Sequence, residues 1–490
     1  MDGSGRARWL ALVIALALVA PACGQKPGVA ESGGGSFAGG LAGSLTEDGL
    51  VLEDGTIIDP NTGEVIGSVD DTGLSDTGST GTSSSTSGSS NTESGDNPSG
   101  DNGGDDTATE SEPSGGDATG VTEDTIRIGS HAPLTGAAPV PSDSALKGSK
   151  LYWEWLKRRG VKINGRNVEA ILKNDNYNPS QAVSVCKEMV EKDKVFLLSG
   201  VAGTDQIQAC ARYAASVGIP YLSAGVTEIG LSNLRTYFAT SMTYPQQGPL
   251  LADFLVKTLG ARDESTALVY FNTQNFYDGR DTFLAAMERH GIEVYVRAVS
   301  KTAGAPEAQA VATDLAQRQI DNVYVLTSPV WFLQLLQATR SQNYAPQWVG
   351  VGITMTFDTV ASVGCRNGTL DGAKFFSPFP AWAESNKFDP DFRKAVREIN
   401  PEEGEGDDFM WLGWMASRQL AEMLKLPGPT LTRERFIYTL ERAKNITTGI
   451  SPPVSFSPTD HFGADTTHVS EAKCQQDQRW HTIRTFVKSF

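Results

Sequence analysis

The sequence predicts an α/β protein of two lobes with parallel-sheet cores, set behind a disordered N-terminal tether. Three observations carry this. Strand and helix patterns alternate from about residue 121 onward, the alternation is interrupted and restarts near residue 243, and residues 24–120 hold almost nothing to bury. At 490 residues the chain also exceeds one ordinary domain.

The first block runs in order. "TIRIGSHAP" is a strand and "SALKGSKLYWEWLKRRG" a helix closed by Gly160. "VEAILKND" is a strand, "PSQAVSVCKEMVEKD" a helix entered through proline, and "VFLLSG" a strand. "TDQIQACARYAASVG" and "PYLSAG" add a helix and a strand. A run of βα units implies a parallel sheet covered on both faces. After "TYFATSM" the pattern restarts with "GPLLADFLVKTLG", "STALVYF", "GRDTFLAAMERHG", "EVYVRAVS", "PEAQAVATDLAQRQ", "NVYVLTS", "WFLQLLQATRSQ" and "PQWVGVG". Two blocks of about 120 residues suit two lobes better than one very wide sheet. "DFMWLGWMASRQLAEMLKL" and "TRERFIYTLERAKN" are helices that must pack on one lobe, and "PVSFSPTDHFG" and "CQQDQRWHTIRTFV" read as terminal strands.

Residues 1–22 read as a signal peptide: Arg6 and Arg8 precede "WLALVIALALVA", and "APAC" ends at Cys23. That ending resembles a bacterial lipobox, with Ala20 where leucine is usual, so Cys23 is the expected lipidation site. Residues 23–121 are the expected tether. Between Gly24 and Gly120 there are 18 acidic residues and one basic residue, Lys26, a balance of −17 that equals the formal charge of the whole chain. The acidity belongs to the tether, and a segment so poor in apolar residues cannot offset its ordering entropy. "DNPSGDNGGDD" lacks the terminal glutamate of a calcium loop. Residues 49–69 alternate with turn residues, as a hairpin would.

Four cysteines remain, Cys186, Cys210, Cys365 and Cys474, without CxxC spacing. An even number in an exported chain favours disulfides over metal. His131, His290, His461, His468 and His481 are scattered, and no GxSxG, HExxH or GxxxxGK[ST] motif occurs. No cofactor, metal, catalytic group or nucleic-acid partner is expected.

"IRIGSHAPLTG", "KINGRNVEAILKNDNYNPSQAVSVCKEMVEKDKVFLLSG", "GIPYLSAGVTE" and "FSPTDHFG", in that order across 124–490, resemble the branched-chain amino acid type of ABC-transporter substrate-binding protein. The resemblance implies two Rossmann-like lobes joined by a three-crossing hinge, with ligand clamped between them. Lobe 1 would comprise 122–242 and 371–449, and lobe 2 243–370 and 450–490. On a strand order 2-1-3-4 the helices bearing Cys186 and Cys210 share a face, so these are expected to pair, leaving Cys365 for Cys474; the sequence alone leaves connectivity open.

Ligands of open α/β sheets sit beyond the carboxyl ends of strands. "LLSGVAGTD" leaves a strand and enters a helix at Thr204, where free N–H groups and the helix dipole suit a carboxylate. The resemblance implies a ligand-binding hydroxyl there; a plain N-cap is the alternative. It also assigns a backbone carbonyl and a hydroxyl to Gly225 and Thr227. Two departures concern the ligand's ammonium and its aromatic contacts. Gly352 stands where an acidic residue is expected, and Thr327 and Pro141 stand where tyrosines are. Phe276, Tyr277 and Trp331 are candidates to restore aromatic surface, and Glu228 or Asp358 to replace the acid.

The expected role is a monomeric, lipid-anchored receptor on the outer face of the cell membrane, delivering a small amino acid, amide or carboxylate-like ligand to ABC permease subunits. A sensory ectodomain of the same fold is the alternative; it would call for a transmembrane helix after the fold.

Overall fold

The computed structural model describes residues 113, 115–135, 144–200, 203–223 and 231–490, with the backbone of four short strands between 45 and 68. Cys23, Pro141, Gly225, Thr227 and Glu228 lie outside the described residues. The chain divides into two units, 1–77 and 78–490.

In the first unit β1 (Leu45–Thr46), β2 (Gly49–Val51), β3 (Thr56–Ile58) and β4 (Val65–Ser68) pair antiparallel in chain order. β2, β3 and β4 fall within residues 49–69, the stretch whose alternation with turn residues reads as a hairpin. Short β-rich segments alternate here with "ED", "LEDG" and "DPNTGE", turn-forming residues that favour local hairpins.

The second unit begins earlier than expected. Residues 115–121 lie against a later helix: Arg433 N donates to the Asp117 carbonyl at 2.9 Å, and Asp117 N donates to Glu434 Oε2 at 2.8 Å. The first lobe follows with β5 (Thr125–Ala132), α1 (Ser144–Arg158), β6 (Asn167–Asn174), α2 (Pro179–Glu191), β7 (Leu197–Gly200), α3 (Thr204–Ser216), β8 (Tyr221–Ser223) and β9 (Tyr237–Ala239). Its five strands are parallel in the order β6-β5-β7-β8-β9, which contains the expected 2-1-3-4 arrangement. Asn178 caps α2 by accepting from Gln181 N at 3.0 Å, with Pro179 pre-set for the first turn.

The chain then crosses to α4 (Tyr244–Lys257), β10 (Thr266–Phe271), α5 (Gln274–Arg289), β11 (Val294–Val299), α6 (Ala305–Gln317), β12 (Asn322–Leu326), α7 (Pro329–Ser341), β13 (Gln347–Val351), α8 (Asp358–Asn367) and β14 (Lys374–Ser377). It returns through α9 (Ser385–Phe388), α10 (Pro390–Ile399), α11 (Asp408–Lys425) and α12 (Arg433–Leu440), and finishes with β15 (Thr467–Lys473) and β16 (Arg479–Val487). The second sheet is β11-β10-β12-β13-β14-β15-β16, parallel up to β14 and antiparallel beyond it.

The expected lobe boundaries need two corrections. β14 extends the second sheet, although 371–449 reads from sequence as first-lobe chain; Phe375 and Phe376 are fully buried between β13 and β15. Residues 450–464, assigned to the second lobe, run beside the first. Val454 pairs with Ile446 and Ala464, and Phe462 with Ala239, as isolated bridges, so "PVSFSPTDHFG" forms no extended strand.

Three crossings run side by side: Ala239–Tyr244, 377–390 and 464–467. Thr467 Oγ1 donates to the Ser377 carbonyl at 3.0 Å, and Gln246 Nε2 to the Ala464 carbonyl at 3.3 Å. α11 explains why "FMWLGWM" is apolar all round. It is sandwiched against α1, with Trp411 Nε1 donating to the Pro380 carbonyl at 2.9 Å and Trp414 Nε1 to Asp389 Oδ2 at 2.8 Å. Both disulfides form as expected, Cys186–Cys210 with Cα atoms 6.1 Å apart and Cys365–Cys474 with 5.1 Å.

Candidate functional site

β5 and β7 end next to each other while β6 lies on the other side of β5, so the order in which strands are added to the sheet reverses here. Such a switch point opens a crevice at the carboxyl ends of the strands. α3 begins at that edge. Its N-cap is Gly203, at φ 85°, with no side-chain cap hydrogen bond. Thr204 is therefore the first helical residue and not the cap, which sets aside the plain N-cap alternative. Behind it Asp205 is pushed up by burial, opposed by the Lys301 ammonium of the second lobe.

Beneath this edge lies a network that sequence reasoning missed. His131 Nδ1 is 2.7 Å from Asp175 Oδ2 and His131 Nε2 is 2.6 Å from Tyr221 Oη. All three residues are fully buried. Asp175 also accepts from Tyr177 N at 2.9 Å. The network joins the carboxyl ends of β5 and β6 to Tyr221, the first residue of β8, and explains Gly200, where an added Cβ would stand 2.2 Å from Tyr221 Oη. His131 also lies near Cys186 and Cys210, but their disulfide removes both thiolates as metal ligands. At the end of β8 the fully buried Ser223 hydroxyl has no partner among the described residues.

In the second lobe Phe276 meets Tyr244 edge-on, with centroids 5.6 Å apart. Tyr277 Oη donates to Asn272 Oδ1 at 2.9 Å, and the Arg280 guanidinium lies 4.5 Å from the Tyr277 ring centroid. Both aromatics are half-buried. Gly352 follows β13 at φ 109°; a Cβ there would find nothing nearer than Tyr244 Oη at 4.0 Å. The position expected to hold an acid thus faces open space beside a tyrosine hydroxyl. Tyr244 is a second residue missed from sequence, although the capping box Thr243–Gln246 marks the helix start that positions it.

Other expectations move. Trp331 packs edge-on against Phe271 at 5.7 Å in the core of the second lobe and is 2% exposed, so it offers no ligand surface in this structure. Thr327 is buried, with Oγ1 3.4 Å from the Ser328 carbonyl. Asp358 is held by Arg479 Nε at 3.8 Å and Trp480 N at 3.4 Å, and its own N–H donates to Asp408 Oδ2 at 2.5 Å. Asp358 therefore sits where α8 meets α11, with Phe357 against Phe409 at 3.9 Å. It joins the lobes there instead of serving as a stand-in acid for a ligand. Burial pushes the carboxyl of Asp358 up to about 6 and that of Asp408 to about 7.

A periplasmic binding protein family profile matches residues 125–478. The leucine-, isoleucine-, valine-, threonine- and alanine-binding protein of Pseudomonas aeruginosa is 25% identical over 204 residues, 41% of this chain and 53% of that protein. The aligned chain thus spans about half the length of that curated relative. Among solved structures, a fatty acid ABC transporter substrate-binding protein from Thermomonospora curvata superposes with a TM-score of 0.63 at 18% identity, covering 76% of this chain and 95% of that one. An R. palustris solute-binding protein in complex with benzoate gives 0.58 at 18% identity, with 74% and 96% covered. At such identities the likeness is one of fold.

Proposed function

The chain belongs to the periplasmic binding protein family, and from that premise we propose that it is an extracytoplasmic receptor that hands a small carboxylate-bearing solute to an ABC importer. The observation that carries the ligand class is the start of α3. Its first N–H groups lack a side-chain cap and Thr204 adds a hydroxyl, together a favourable place for a carboxylate. Gly225 and Thr227 complete the head-group site in this reading, with Phe276, Tyr277 and Tyr244 facing it from the second lobe. Gly352 removes the usual partner of an α-ammonium. An unpaired buried charge costs several kcal/mol, so leucine, isoleucine and valine bind poorly. The relatives named above, an amino acid-binding protein, a fatty acid transporter's binding protein and a benzoate complex, suit one scaffold serving several acids.

Calorimetry on the full chain tests this. Simple aliphatic or aromatic monocarboxylates bind and leucine does not; micromolar or tighter leucine binding restores the ordinary family ligand and overturns the reading. Anchoring through Cys23 belongs to the same proposal, because two acyl chains suffice for stable attachment. Cys23→Ser moves the protein from the membrane to the soluble fraction. A wild-type protein already soluble after fractionation would remove the anchor.

A further inference from the structure

A cavity of about 80 Å³, open on one side, lies inside the first lobe between its sheet and the paired helices α1 and α11. Packed interiors leave few voids larger than a water molecule. At about 10–15 Å³ per water-sized group, this one holds several such groups in a row, the room a short alkyl chain takes. Ten of its eighteen lining residues are Gly, Ala, Ser or Thr, so it is small side chains that leave the space.

The hydroxyls on its walls are already paired. Ser130 Oγ and Ser199 Oγ are 2.6 Å apart, Ser417 Oγ donates to Ser149 Oγ at 2.8 Å, and Thr240 Oγ1 donates to the Ser223 carbonyl at 2.9 Å. Buried water needs two to four partners, and a charged group needs a counter-charge; these walls supply neither in quantity. What remains is aliphatic, Ile128, Leu172, Leu222, Leu420 and Met423 among it, apart from Gln419, whose Nε2 donates to the Pro452 carbonyl at 3.3 Å. The roof is also locked. A Cβ on Gly148 would stand 2.0 Å from the Met410 carbonyl oxygen, and one on Gly413 2.0 Å from that of Ala145, so α1 and α11 touch backbone to backbone. The void is a space beneath a fixed roof and not slack in a loose helix pair.

We infer that this cavity binds the hydrocarbon part of the ligand, a short alkyl chain that enters from the strand ends and runs between the sheet and α1/α11. The inference rests on the reading of the α3 start as the head-group site. Ser199 and Gly200 line the cavity and end β7, and α3 begins at Thr204, four residues beyond Gly200. In this proposal the tail turns from the helix start over the end of β7 and into the cavity.

The experiment is a calorimetric series of straight-chain monocarboxylates from acetate to decanoate on the full chain, with 1-hexanol as a probe lacking the carboxylate. Affinity rises about fourfold per CH₂, the equivalent of about 0.8 kcal/mol, until the cavity is full and then levels. Ala416→Leu, which fills the cavity from α11, flattens that rise; Ala170→Leu fills it from β6 and serves if the first variant does not fold. Hexanol raises the melting temperature of the wild type and not of the filled variants. If hexanol acts in this way while no carboxylate binds, the cavity site stands and the head-group reading falls. Carboxylates that bind with affinity independent of length leave the head group and overturn the cavity site. A length dependence that survives both filled variants, or no effect of either probe, also overturns it.

Discussion

α3 and α7 each follow an inner strand of their own sheet, and they begin in opposite ways. Ser328 caps α7, accepting from Trp331 N at 3.3 Å, and Pro329 fills its first turn. α3 begins behind Gly203 with no side-chain cap. The second-lobe helix satisfies its own end, whereas among the described residues no side-chain cap closes the start of the first-lobe helix. Beneath the two ends the contrast repeats. Under α7 lies an apolar core with Trp331 against Phe271, and under α3 lies the buried His131–Asp175–Tyr221 network. Under the proposed function, the helix start left without its own cap is the one that serves a ligand, and the buried polar network holds the strands around it.

The largest expected effect tests that support. His131→Ala removes a partner from both Asp175 and Tyr221, and stranding a fully buried carboxylate costs about 3–5 kcal/mol. Thr327→Ala at the corresponding strand end of the second lobe loses only a weak contact and costs about 1 kcal/mol or less. Urea denaturation of both variants makes the comparison. Equal losses would mean that the two strand ends are held alike.

How much of this was legible differs along the chain for physical reasons. The βα alternation follows from local periodicity, and the Cys186–Cys210 pair from successive helices that share a face once the sheet order implied by the resemblance is granted; Cys365–Cys474 is reached only by elimination. The network did not show itself, because His131, Asp175 and Tyr221 lie on or next to three different strands and none carries a local motif. β14 was misplaced because "KFFS" is short and apolar, and its membership is settled by neighbours far along the chain, β13 and β15. Trp331 illustrates a different limit: one helical turn from a strand end, an aromatic points as readily into a core as toward a ligand. Thr204 could be singled out because a helix start after glycines is a local signal.

The next effect concerns where the lobes meet. Asp358 and Asp408 have raised carboxyls, chiefly through burial, and Asp408 is raised further by its neighbour Asp358. A folded-state value above the unfolded one means that the native protein binds more protons between about pH 4 and 7, so stability falls as pH rises through that window. The penalty is fully present above about pH 7 and is relieved on acidification. Asp408→Asn keeps an acceptor for Asp358 N and removes the charge. It should raise stability by about 2 kcal/mol at pH 8, the order expected for a shift of this kind discounted for relaxation, and leave stability at pH 4 nearly unchanged. Thermal melts at the two pH values provide the check. A variant with the wild-type pH profile would show that the carboxyl pair does not govern the α8–α11 contact.

The smallest effects bear most directly on the two helix starts. Ser328→Ala should cost about 1 kcal/mol of stability, as loss of an N-cap does, and leave ligand affinity alone. Thr204→Ala should do the reverse. Alanine suits a first helical turn, so the melt barely moves, while affinity for a bound carboxylate falls by about 0.5–3 kcal/mol, the range for losing a hydrogen bond or stranding its partner. Measured together by denaturation and calorimetry, the two substitutions form a crossed pattern that a general loss of fold cannot imitate. If Thr204→Ala lowers stability and spares affinity, the hydroxyl serves the helix after all. The contrast between the lobes would then reduce to two ways of starting a helix.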